Sequence, residues 1–85
     1  MKKAIDVVDK IDKAMDDGHV WAEVWADGPF VCAEIRGDWK HDHLRADWIV
    51  KDLFGADKVL ISEDPADDDD GDDSYVAVHR YLILD

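Results

Sequence analysis

The chain has 85 residues, 47% hydrophobic and 38% charged, with 22 Asp and Glu against 10 Lys and Arg and a formal charge of -12. That length makes one domain, residues 1 to 85, burying about 60% of its unfolded surface around a modest core. The charge excludes direct binding to nucleic acid or to an anionic membrane through a basic face.

The polar residues are almost all ionic. There is no Asn, Gln or Thr, and Ser62 and Ser74 supply the only aliphatic hydroxyls. The single cysteine, Cys32, has no internal partner, which fits a reducing compartment and places the protein in the cytoplasm. Lys2 and Lys3 look like the start of a signal peptide, but Asp6 and Asp9 interrupt the apolar run that one needs. No apolar segment approaches the length of a membrane span.

Residues 3 to 17 read as an amphipathic helix, with Ala4, Val8, Ile11 and Met15 on one face and Gly18 as its stop. Residues 19 to 26 and 30 to 36 switch to period two, and Asp27-Gly28-Pro29 between them is turn chemistry, so the pair reads as a β-hairpin. One hairpin face is small and aliphatic (Val20, Ala22, Val24, Ala26; Val31, Ala33, Ile35) and suits a covering helix. The other sets Trp21, Trp25 and Phe30 among charges, as part of a second apolar layer or as a contact patch.

Asp38 is the expected N-cap of a second helix from about Trp39 to Phe54, closed by Gly55. Its inward stripe is Ala46, Ile49, Val50 and Leu53, while Leu44 and Trp48 fall on another side. Lys58 to Ser62 reads as a short apolar strand and Ser74 to Leu84 as a longer one. On that last strand Tyr75, Ala77, His79, Tyr81 and Ile83 share a face opposite Val76, Val78, Leu82 and Leu84. Between these strands, residues 63 to 73 hold eight carboxylates in eleven positions and no cation. Mutual repulsion and hydration keep such a block in water, so it reads as the tip of a second hairpin.

The element order α-β-β-α-β-β predicts an α+β two-layer sandwich, a four-stranded antiparallel sheet with two helices on one face. It is the order that a ferredoxin-like domain acquires when its first strand is moved to the end. That arrangement gives strand order 1-2-4-3; a plain 1-2-3-4 meander is the alternative.

No catalytic, cofactor or metal set emerges from spacing. Placing Gly71 at position 6 of a calcium loop puts Asp68 and Asp70 correctly, but Ala66 and Ala77 then occupy positions that need oxygen ligands. His41 and His43 are two apart on a helix and point to different sides, so they do not share a zinc ion. Cys32 has no basic neighbour in sequence to favour a thiolate, and no phosphate loop or nucleophile elbow is present. The expectation is a protein that folds without metal and is not an enzyme.

Binding through negative charge remains. A rigid acidic domain fits grooves lined with Lys and Arg that normally hold DNA phosphates. The candidate partner-binding residues are Asp38, Asp42, Asp47, Asp52 and Asp57 on the body, Glu63, Asp64, Asp67, Asp68, Asp69, Asp70, Asp72 and Asp73 in the block, and Trp21 and Trp25 on the hairpin. In size and charge the chain resembles small acidic phage proteins that block CRISPR, restriction or other DNA-binding machinery. That resemblance implies a DNA-mimic inhibitor acting on a basic protein, as a monomer or dimer. A generic acidic interaction module and a salt-adapted protein are the alternatives.

Overall fold

The computed structural model describes residues 3–65 and 75–84. In chain order these form α1 (Ala4–Asp17), β1 (Ala22–Asp27), β2 (Phe30–Gly37), a wide helical turn of π type (Trp39–His43), α2 (Leu44–Phe54), a short 3-10 turn (Ala56–Lys58), β3 (Val59–Pro65) and β4 (Tyr75–Ile83). The four strands make one antiparallel sheet in the order β1-β2-β4-β3, so the last strand lies between β2 and β3. Of the two topologies open to the sequence, the central placement of β4 is the one adopted.

Both helices lie on the same side of the sheet. Ala4, Val7, Ile11 and Met15 of α1 and Ala46, Ile49 and Val50 of α2 pack with Val31, Ala33 and Ile35 of β2, Val59 of β3, and Tyr81 and Ile83 of β4. Period-3.6 and period-two apolar patterns thus meet in one layer, where burial of each large side chain contributes about 1.5–3 kcal/mol before entropy is counted. Val7 is buried in the α1 stripe where the spacing favoured Val8, which is half-buried at its margin. Among the described residues, no helix is long and apolar enough to cross a membrane.

Three boundaries differ from the sequence reading. The first strand starts at Ala22, because Gly18, His19 and Val20 donate their N–H groups to Ala14, Asp16 and Met15 and finish the helix. The left-handed residue in that ending is His19, with φ of 61°, whereas Gly18 has an ordinary φ of -86°. Gly18 also packs closely: a Cβ there would stand 2.7 Å from Ile49 Cδ1 on α2, so that side chain would have to shift.

The helical segment begins at Trp39 as expected, and the Asp38 carbonyl accepts its first N–H groups, but its first five residues are widely wound. The α-helix begins at Leu44, after the π-type turn, in which His43 N–H reaches the Asp38 carbonyl five residues back. The Asp42 carboxylate closes this entry by accepting the Asp38 backbone N–H at 2.7 Å. Gly37, with φ of 150°, leaves room for it, since a Cβ at Gly37 would run into the Asp42 carboxylate.

The third strand runs on to Pro65, so Glu63 and Asp64 belong to the sheet and not to the tip. The register continues through them, Glu63 opposite His79 and Asp64 opposite Val78, and the Arg80 guanidinium pairs with the Asp64 carboxylate. Asp67, Asp68, Asp69, Asp70, Asp72 and Asp73 lie outside the described residues.

Candidate functional site

The strand register brings together side chains that are far apart in sequence. Ala33 of β2 pairs with His79 of β4, which pairs with Glu63 of β3; one step along, Val31, Tyr81 and Ile61 form the next row. Alternation puts both rows on the helix-covered face. Above them sits the start of α2. The π-type turn delivers His43 onto the inward side, and Asp47, four residues on, shares that side.

Five polar side chains therefore meet inside an apolar layer. His43 and His79 are fully buried, their rings stacked with centroids 5.1 Å apart. His43 Nδ1 lies 2.9 Å from His79 Nε2, and His79 Nδ1 lies 2.8 Å from Asp47 Oδ1. Tyr81 donates its hydroxyl to the same Asp47 oxygen at 3.0 Å, and Glu63 Oε2 stands 3.5 Å from His79 Nε2.

The hydrogen bonds order the protons. The Asp47 carboxylate accepts from His79 Nδ1–H, and a single proton lies between His79 Nε2 and His43 Nδ1, because two lone pairs or two N–H groups would repel at 2.9 Å. Burial, reinforced by the Asp47 charge and its hydrogen bond, pushes the Tyr81 hydroxyl far above its ordinary pKa and keeps it a donor. His43, His79 and Glu63 each offer one ligand atom, an imidazole nitrogen or a carboxylate oxygen, and these lie within 4.8 Å of one another, close enough to hold one metal ion.

Periodicity already placed His79 with Ala77, Tyr81 and Ile83, and His43 four residues before Asp47. What it lacked was the length of β3: with Glu63 assigned to the acidic tip of the hairpin, nothing set it beside His79. Two surface clefts, one lined in part by Asp12, His19 and Trp21 and one by Lys10, Leu53 and Phe54, involve none of these five side chains.

The residues expected to bind a partner separate into two groups. Asp38, Asp52, Asp57 and Asp64 are exposed. Asp42 is half-buried and engaged with the Asp38 amide. Asp47 and Glu63 turn to the covered face, their side chains only 21% and 22% exposed, so neither belongs to an outward lattice of anions.

Trp21 and Trp25 lie on the opposite sheet face, which no helix among the described residues covers. They are 70% and 38% exposed, and Leu60 on β3 is 56% exposed. The Arg36 guanidinium sits 6.0 Å from the Trp21 ring. Glu23 and Glu34 face each other directly across β1 and β2, an arrangement that costs stability because the charges repel. Cys32, on this face, is buried; desolvation, with the Asp27 carboxylate adding to it, pushes its thiol pKa up and leaves it a poor nucleophile.

No protein-family model matches the chain, and comparison with curated proteins and with solved structures returns no match.

Proposed function

We propose that this is an acidic docking protein that occupies a cationic surface on a partner, of the kind that holds nucleic acid, and acts there as an inhibitor in the cytoplasm. The observation that carries the reading is the uncovered sheet face, where exposed Trp21, Trp25 and Leu60 stand among Glu23, Glu34 and Asp64. Exposed tryptophans give large contact area at small entropic cost and recur at the centres of protein interfaces. A Lys or Arg from a partner, placed between Glu23 and Glu34, turns their mutual repulsion into attraction. Exposed Asp38, Asp52 and Asp57, together with the net charge of -12, steer the approach.

The reading differs in one respect from simple imitation of a phosphate lattice. With Asp47 turned inward, the row Asp42, Asp47, Asp52 does not present three outward anions, and apolar contact on the sheet face has to supply part of the affinity.

The test is displacement of labelled duplex DNA from a panel of restriction and CRISPR nucleases at low and high salt, with polyaspartate of equal charge as control. The protein should displace DNA from at least one of them about tenfold better than polyaspartate, a difference of about 1.4 kcal/mol. Replacing Trp21 and Trp25 together by Ala should remove that advantage while leaving the salt dependence. Equal potency of protein and polyaspartate across the panel would reject the docking face.

A further inference from the structure

We propose that His43, His79 and Glu63 form a three-ligand site for a divalent cation of the zinc class, with Asp47 and Tyr81 as its outer support. The expectation of a metal-free protein rested on the acidic block and on the His41-His43 spacing. This site takes one residue from each, Glu63 and His43, and joins them to His79: its ligands come from the π-type turn, β4 and β3, and assemble only through the fold.

The distances suit the chemistry. A tetrahedral zinc ion with bonds of about 2.0–2.1 Å holds its ligand atoms about 3.3 Å apart. The His43 Nδ1 to His79 Nε2 distance is 2.9 Å and the His79 Nε2 to Glu63 Oε2 distance is 3.5 Å, on either side of that value. Binding replaces the proton between the two imidazoles with the cation, and that proton leaves to solvent.

The surroundings match a metal-bound histidine. His79 gives its other nitrogen's proton to Asp47, which fixes the ring and directs Nε2 toward the ligand cluster, and Tyr81 holds Asp47 in place. Two imidazoles and a carboxylate favour zinc or its late-transition neighbours over magnesium and calcium, which take oxygen ligands. The charges close as well: a divalent cation balances the Glu63 and Asp47 carboxylates in a region otherwise taken from water. Both histidines are fully buried, so the Glu63 side chain, 22% exposed, marks the entrance. The fourth coordination position takes a water from that side. Bound there, the cation fastens the start of α2 to β3 and β4.

The test titrates zinc into the purified chain by calorimetry, with magnesium in parallel, in a background in which Asp67, Asp68, Asp69 and Asp70 are replaced by Ser to remove weak acidic sites. One zinc should bind with release of at least one proton, and excess zinc should raise the thermal midpoint by about 10 °C or more. Magnesium should do neither. Cobalt should give visible bands of a tetrahedral nitrogen-oxygen site. Glu63→Gln should weaken zinc binding at least tenfold, and Asp47→Asn about 10- to 100-fold.

Zinc binding no tighter than magnesium would overturn the proposal, as would zinc affinity unchanged in Glu63→Gln. Cobalt bands of an octahedral, all-oxygen type would do the same, and they are read on the background protein without any change to the ligands.

Discussion

Replacing Asp47 by Ala is the sharpest perturbation of the buried network. Its Oδ1 accepts from two groups that have no access to water, His79 Nδ1–H and Tyr81 O–H. Stranding a buried donor costs about 1–3 kcal/mol. The Asp47 side chain is 21% exposed, so water partly fills the space left by Ala and the combined cost sits in the lower half, about 2–4 kcal/mol. A chain of 85 residues has roughly 4–13 kcal/mol of stability in total. The variant should therefore lose a large fraction of it, lowering the thermal midpoint by roughly 10–30 °C. The assay is urea unfolding followed by circular dichroism and tryptophan fluorescence with a chelator present, so that no cation contributes. Asp52→Ala, on the exposed side of the same helix, should change the midpoint little. Asp47→Asn, which keeps an oxygen acceptor, should fall between them. If Asp47→Ala unfolds at the same urea concentration as Asp52→Ala, the inward hydrogen bonds do not hold α2 to the sheet and the reasoning fails.

Three other outcomes are expected. Gly37→Ala should cost about 1–3 kcal/mol in chemical denaturation, since it strains a φ of 150° and expels the Asp42 carboxylate from the Asp38 amide. His19→Gly should stabilise by about 0.5–1 kcal/mol, because the left-handed φ of 61° costs a histidine and not a glycine; an unchanged midpoint would count against that cap. Cys32 should resist a thiol reagent in the folded protein and react only at the rate of unfolding. Its raised thiol pKa means that the folded state keeps a proton that the unfolded state releases. The associated stability is complete below the ordinary thiol value of about 8.5 and declines as pH rises above it, and Cys32→Ala should flatten that decline relative to the parent.

The sequence made the layers legible. Two periodicities, 3.6 and 2, separated helices from strands, and the turn residues at Gly28 and Gly55 marked real breaks. Local chemistry misled in detail at the helix ends. Gly18 does end the helix, but the left-handed turn falls on His19, and the Asp38 amide is itself bound by the Asp42 carboxylate. Glu63 and Asp64 merged with the acidic block because charge density hides alternation; yet Val59, Ile61 and Glu63 follow the same period-two face. The His43, Asp47 and His79 contacts depend on how the π-type turn and the start of α2 sit over β4, which no local pattern encodes.

The central placement of β4 also bears on how the chain is made. Translation delivers β1, β2, α2 and β3 before β4, and among the described residues β4 is the strand that touches both β2 and β3. Partners such as Val31 and Tyr81 are 50 positions apart, so the sheet stays split into a hairpin and a lone strand until residues 75–83 have left the ribosome. During that interval the two flanks of the gap expose unpaired backbone, which invites pairing with other nascent chains. Dense carboxylates along the surrounding segments keep such chains apart by repulsion. The acidity that we propose suits a cationic partner would therefore also guard the protein while its centre is missing.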